Sequence, residues 1–236
     1  MSKKLILSAL IVLSLVGAVM AQDTKPVQLA LFNPVQMVPK AESITGVSLG
    51  LIYAANKDVT GFSFVLLGVN EVTGNGKGVA WGLGNWVDGY FYGWQDGFVN
   101  HAGPRFVGFQ DGIVNVTEGD FTGAQLGIVN WTEGFVHGTQ MGIFNYSVGK
   151  FIGFQGGLVN MSKGEFSGAA LGIVNYAEGP VKGFQGGIVN SAGEMHGFQL
   201  GLVNYTKSLD GLQIGLANYN GNKKPMEFMV LVNWSF

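Results

Sequence analysis

An asparagine recurs at residues 70, 85, 100, 115, 130, 145, 160, 175, 190, 204, 218 and 233, fifteen residues apart except for two steps of fourteen. Each from Asn100 to Asn218 ends a recognisable octet: Gly108-Phe-Gln-Asp-Gly-Ile-Val-Asn115 becomes Gly123-Ala-Gln-Leu-Gly-Ile-Val-Asn130, then Gly138-Thr-Gln-Met-Gly-Ile-Phe-Asn145. So regular a period restricts the chain to a repeat architecture, in which a unit too small to bury a core alone is completed by its neighbours. Counting the Asn as position 0, glycine occupies positions −7 and −3 and glutamine position −5, with Ala170 the exception to the glutamine from Gly93 onward. Copies before Asn70 are degraded: Gly46–Tyr53 keeps the two glycines but carries Tyr53 where the Asn belongs.

Two glycines in every octet would cost a helix about 1 kcal/mol each, whereas the β-branched and aromatic residues around them favour strands. The chain therefore reads as all-β. After the Asn come short polar residues and a glycine, as in Val116-Thr-Glu-Gly-Asp120 and Met161-Ser-Lys-Gly-Glu165, a signature of tight turns. One strong turn per repeat predicts successive antiparallel hairpins closed into a shallow barrel or petal-like array. The alternative is a β-solenoid with one repeat per coil, in which the Gly, Gln and Asn columns would stack.

Strict alternation along a strand puts positions −6, −4 and −2 on one face with the Asn, and Gln, the second Gly, position −1 and the residue after the Asn on the other. On the first face the sizes compensate: Phe109 goes with Asp111, Thr139 with Met141, Phe154 with Gly156 and Phe184 with Gly186. Paired residues sharing a limited volume predict a close-packed interior face. The pattern loosens at Phe198/Leu200 and Leu212/Ile214. The glycine columns predict bends or close backbone approach, and the Gln and Asn columns predict polar ladders that satisfy one another.

Composition narrows the function classes. The 236 residues carry 12% charged and 47% hydrophobic side chains, a formal charge of −2 and no cysteine. This is enough apolar material for a core, with no basic face for nucleic acid and no thiol for a disulfide, thiolate metal site or nucleophile. At the N-terminus, two lysines, an apolar run from Leu5 to about Met20 and small residues to Ala21 read as a signal peptide, residues 1–21. Residues 22–43 form a lead-in segment, and residues 44–236 a single β-repeat domain.

The last residues, Glu227-Phe-Met-Val-Leu-Val-Asn-Trp-Ser-Phe236, place Phe228, Val230, Val232, Trp234 and Phe236 at alternate positions. This ending resembles the C-terminal signal of bacterial outer-membrane β-barrels, which implies a Gram-negative envelope protein. The repeat over residues 78–236, as in Gly211-Leu-Gln-Ile-Gly-Leu-Ala-Asn218, is similar to uncharacterised bacterial surface-repeat proteins built from GxQxGxxN units. That likeness implies export and outer-envelope placement, and assigns no activity.

No catalytic grouping emerges from the sequence, and no cofactor or metal site is expected. His137 and His196 share position −8 with Thr122, Ile152, Ser167 and Lys182, as a variable strand position would; His101 is the third histidine. Asp96 and Asp111 occupy position −4 of adjacent copies, where other copies carry Leu, Met or Gly, and are the acidic pair that the repeat does not explain. Two such carboxylates could hold a cation or bear raised pKa values. Asn115, Asn130, Asn145, Asn160, Asn204 and Asn233 match N-glycosylation acceptors, but the repeat explains them better, because the Asn is a fixed column and a polar turn follows it. Thr73–Gly78 has the composition of a phosphate loop without its spacing.

The aromatics after the Asn, Trp86, Trp131, Tyr146, Tyr176, Tyr205 and Tyr219, form a belt suited to a membrane interface or to stacking on sugars. The resulting expectation is a non-enzymatic exported envelope protein, a structural or interaction module at the outer membrane or cell surface whose candidate partners are outer-membrane lipid or other envelope components. A transmembrane β-barrel pore or small transporter is the alternative.

Overall fold

The computed structural model describes residues 24–236; the expected signal peptide and its cut after Ala21 lie outside the described residues. The chain forms strands throughout: β1 (Thr24–Phe32), β2 (Val35–Gln36), β3 (Ser43–Asn56), β4 (Val59–Val72), β5 (Gly76–Val87), β6 (Tyr90–Asp96), β7 (Val99–Ala102) and β8 (Arg105–Thr117). There follow β9 (Asp120–Thr132), β10 (Val136–Ser147), β11 (Phe151–Ser162), β12 (Phe166–Leu171), β13 (Val174–Gly186), β14 (Val189–Leu200), β15 (Val203–Asn220) and β16 (Phe228–Ser235).

From β3 to β15 every neighbouring pair is parallel, and through the regular copies each residue lies beside its equivalent one repeat away. Gln110 pairs with Gln125, and Asn115 with Asn130. This is a β-solenoid of about 13 coils, and it corrects the expectation of antiparallel hairpins closed into a barrel or petal-like array. The sheet path runs from β16 to β2 with two ends and does not close on itself. The polar turn after the Asn bends the chain, as at Glu118–Gly119, into the next coil of the stack rather than reversing it onto the strand it has just left.

Four columns fill the inside of the coil. Position −9 supplies apolar bulk, including Phe106, Phe121, Val136, Phe151 and Met195, all fully buried. The rings stack coil on coil, at 5.4 Å between Phe106 and Phe121 and 5.0 Å between Phe151 and Phe166. Each such burial contributes roughly 2 kcal/mol. Position +2 supplies small residues, among them Thr117, Thr132, Ser147 and Ala177. The remaining two columns are the Gln at −5 and the Asn at 0.

Gln and Asn are thus both buried although five residues, an odd number, separate them. A flat pleat would send them to opposite sides. The chain therefore turns a corner between them, seen as a bend at Gly97–Phe98, Gly172–Ile173, Gly187–Ile188 and Gly201–Leu202. That corner overturns the expected interior: positions −6, −4 and −2 face outward. The size compensation is real but operates on the outer surface, where a Cβ at Gly156 would lie 2.8 Å from the ring of Phe154 and one at Gly186 2.8 Å from Phe184.

Inside, the amides satisfy one another. Each Asn from Asn85 to Asn204 donates one N–H to the Asn of the next coil, at 2.8–2.9 Å, as Asn115 Nδ2 does to Asn130 Oδ1. The second N–H goes to a backbone carbonyl of that coil, Leu126 in the case of Asn115, at 2.8 Å. The Gln column runs the other way: Gln125 Nε2 donates to Gln110 Oε1 and Gln140 Nε2 to Gln125 Oε1, each at 2.8 Å. At Ala170 this column is interrupted, and Gln185 donates to the Ser191 carbonyl instead.

Two glycine columns let the coils approach. Gly123 has φ +135°, and a Cβ there would stand 1.8 Å from the carbonyl oxygen of Gly108 in the coil before. At position −3, a Cβ on Gly127 would meet the Gly112 carbonyl oxygen at 2.3 Å and the Asn115 amide nitrogen at 2.8 Å. The fourteen-residue steps lose their residue from the turn: Ala177 pairs with Ala192, and the next pairing is Pro180 with Glu194. The interior columns stay in register.

The degraded copies keep the same plan. Gln28, Ser48, Ser63 and Ala80 fill the slot that Gln95 occupies. Ala54, rather than Tyr53, lies beside Asn70 in the Asn slot. Tyr53 points outward and with Lys40 holds Glu71: its hydroxyl donates to the carboxylate, and Lys40 Nζ lies 2.8 Å from it. Burial pushes the Glu71 carboxyl up, but these hydrogen bonds and the Lys40 charge outweigh it and hold the group below the usual carboxylate range.

Antiparallel strands close both ends, β2 on β1 and β16 on β15. Gln28 exchanges two 2.8 Å hydrogen bonds with the backbone of Val38, ending the Gln column at one end. At the other, Asn233 Nδ2 donates to Gln213 Oε1 at 3.1 Å, and Lys223 Nζ donates to Asn233 Oδ1 at 3.0 Å. Asn233 is therefore a cap on the Gln column, not the twelfth member of the Asn column.

Two substitutions test the stacking. Gly123→Ala is expected to lower stability by about 3 kcal/mol or more, because backbone must move and the φ is strained, while Gly156→Ala on the outer surface costs under about 1 kcal/mol; urea denaturation separates them. Asn130→Leu removes the acceptor of Asn115 and the donor to Asn145, and by the same measurement is expected to cost about 3 kcal/mol.

Candidate interaction surface

The outward positions divide by chemistry. Over residues 90–220 the charged side chains fall in the turns and at positions −10 and −8, as with Glu118, Asp120, Lys150, Lys182 and Asp210. Some form exposed ion pairs across coils: Glu165 lies 2.8 Å from Lys182 and 3.3 Å from Lys150, and their hydrogen bonds hold its carboxyl below the ordinary range. Positions −6, −4, −2, −1 and +1 are apolar, aromatic, small or hydroxyl-bearing, with three exceptions: Asp96, Asp111 and His101.

At the corner, position −2 forms a continuous ridge of Phe98, Ile113, Ile128, Ile143, Leu158, Ile173, Ile188, Leu202 and Leu216, with exposures from 45% to 60%. On one side lie positions −4 and −6. On the other lie position −1 and then the belt at +1. The Cβ of position −3 would point inward at the Asn amide, so glycine there lets the chain fold back beneath the ridge. An apolar groove of about 810 Å³ opens beside the ridge among Leu171, Phe184, Ile188, Leu200, Leu202, Ile214 and Val232.

All six belt aromatics take the +1 column, with their surroundings varying along it. Trp131 and Tyr146 meet at 4.3 Å between ring centroids, Tyr205 and Tyr219 stack at 5.2 Å, and Trp86 stacks on His101 at 3.9 Å. Trp86, Tyr176 and Tyr205 are exposed, while Tyr146 is nearly buried. The belt is interrupted by Val116, Met161 and Ser191, so it is a line of aromatic clusters.

Asp96 and Asp111 are register partners on position −4. They border a hollow of about 240 Å³ with Leu66, Trp81, Leu83, Phe98 and Ile113. Burial, and then the neighbouring Asp111 carboxylate, raise the Asp96 pKa against a lowering hydrogen bond with Trp81. Among the described residues no group of three or more His, Asp or Glu side chains is placed to hold a metal ion.

The histidines are separate. His101 is buried, with Nε2 3.2 Å from Glu118 and Nδ1 without a hydrogen-bond partner. His196 lies 3.2 Å from Asp210, and His137 is exposed near Phe135. Asn115, Asn130, Asn145, Asn160, Asn204 and Asn233 are all buried and hydrogen-bonded, so the glycosylation pattern is a by-product of the repeat. Thr73–Gly78 lies at the turn between β4 and β5, where Asn75 Oδ1 accepts from the Tyr90 N–H at 2.9 Å.

The ridge and the segregation of charge do not follow from simple alternation, which breaks at the corner. A signal was present: apart from Asp96 and Asp111, no octet from Gly93 to Asn218 contains a charged residue. Comparison with family models, with curated proteins and with solved structures finds no match.

With its folded pKa above its unfolded one, Asp96 contributes stability that is fully present below the ordinary carboxylate range and is lost as pH rises through that raised value. Asp111→Asn is expected to move the Asp96 titration back toward the ordinary range and to raise the melting temperature at neutral pH. Carboxyl NMR titration and thermal melts at pH 4 and pH 7 check this; an unchanged Asp96 titration would contradict the coupling.

Proposed function

We propose that the chain is a non-enzymatic exported protein of a bacterial envelope, acting as a structural or interaction module at the outer membrane or cell surface. The observation that carries this reading is the disposition of its polar groups. The interior amides are consumed by the stack, both ends are closed, and what remains outside is a long apolar ridge backed by charged turns. An extended, rigid, repetitive surface suits binding over length rather than chemistry at a point.

The leader-like N-terminus and the alternating aromatic ending support export and envelope placement. Within the fold that ending is β16, an edge strand on which Phe228, Val230, Val232 and Trp234 are exposed, with Phe236 exposed just beyond it. A pore would need a closed antiparallel wall. The parallel, two-ended sheet does not supply one.

Expression of the full chain in a Gram-negative host tests the proposal. The mature protein is expected to begin at Gln22 and to fractionate with the envelope. Recovery of an uncut chain in the cytosol would overturn it.

A further inference from the structure

The ridge has a shape that restricts what can cover it. Two apolar flanks meet at position −2, so the apolar surface is a wedge. Along one flank run Leu126, Met141, Leu171 and Leu200 of position −4, and along the other Val114, Val129, Phe144 and Val159 of position −1. With adjacent coils about 4.8 Å apart, the nine ridge residues from Phe98 to Leu216 make a wedge about 40 Å long. A contiguous apolar surface of that extent exceeds the few hundred Å² found on ordinary soluble monomers.

Three occupants are conceivable for such a face: a second copy, another rigid protein, or lipid. A second copy laid flank to flank covers one side of the wedge and leaves the other in water. Fluid acyl chains conform to both flanks at once. The charged turns then remain on the water side, and the belt at +1 falls at the boundary, where the mixed character of Trp and Tyr is favoured. Tyr219 donates its hydroxyl to Glu227 at 2.9 Å, and Lys163 Nζ stands 5.9 Å from the ring of Tyr146, so these rings already meet the charged side.

We infer that the ridge from Phe98 to Leu216 is a keel that docks the solenoid lengthwise on a lipid layer, with the position −2 side chains among the acyl chains and the turns in water. This deepens the envelope reading, and rests on it only for which membrane the protein meets. Docking is peripheral: an amphipathic surface of this kind enters the boundary between headgroups and acyl chains by about 5–10 Å. Asp96 and Asp111 are the charges on the flanks that oppose it.

The test uses the chain from Gln22 with vesicles of phosphatidylcholine and phosphatidylethanolamine. Co-sedimentation is expected, together with quenching of tryptophan fluorescence by brominated acyl chains, since Trp81, Trp86, Trp94, Trp131 and Trp234 all lie on the outer surface of this side or on the end strand. Ile128→Asp combined with Ile143→Asp, at exposed keel positions, is expected to lower partitioning at least tenfold with the circular dichroism spectrum retained. Asp96→Asn with Asp111→Asn is expected to raise it several-fold, and Glu133→Gln with Lys163→Gln, in the turns, to leave it within twofold.

Several results would overturn the inference: no association or quenching of the unaltered chain, equal binding by the keel variant, or loss of binding in the turn variant, which would point to headgroup electrostatics. A dimer that vesicles do not dissociate and that the keel variant converts to monomer would assign the face to a second copy. Because purified protein is used, failure here is separate from failure of the export test.

Discussion

A primary amide buried in the axis of a coil has few places to find a partner, and in this protein it finds one in the same amide one coil away. Asn130 and Gln125 are both inside, and each is satisfied only when the chain returns in register after a whole repeat. Leaving such a group unpaired costs about 1–3 kcal/mol, and a slip of a single residue would strand two groups in every coil. The glycine columns answer the same demand. A side chain at Gly123 or Gly127 would hold the coils apart by meeting backbone and amide atoms of the preceding coil, and the ladders need that close approach.

Much of this could be read from the residues alone. The period, the all-β character, the meaning of the glycines as close-approach points and the pairing of Gln with Gln and Asn with Asn all follow from residue type and spacing. The choice between hairpins and coils was also open to decision. In an antiparallel array a Gln five residues before one turn faces a residue that follows the turn, so identical columns would not meet; identity at every position of the repeat is a mark of parallel stacking. What defeated the reading was the corner at Gly97, Gly172, Gly187 and Gly201. Period-two alternation holds only along a straight strand, and carrying it through a bend placed Leu126 inside and separated Gln125 from Asn130.

The ends were legible in part. Asn233 keeps the fifteen-residue step, yet its strand runs antiparallel and its amide completes the Gln column. Spacing cannot report strand direction. The lead-in carries Gln28 in the Gln slot without the surrounding octet, so only the pairing reveals that it belongs to the stack. Asp96 and Asp111 remained exceptional at both levels, as the acidic residues of an otherwise uncharged outer flank.

The fourteen-residue coils carry a consequence for how such a chain can vary. Losses fall in the turn, between Ala177 and Pro180 and their partners, and the buried columns do not register them. Whole units added or removed between Gly93 and Asn218 would likewise rejoin like with like, whereas changes in β1, β2 or β16 would expose unpaired strand edges. Each unit is worth about 4.8 Å of rod. Reach is therefore an inherited quantity that comes in fixed increments, and gene-level duplication or loss of a repeat adjusts the span of the molecule without redesigning its interior.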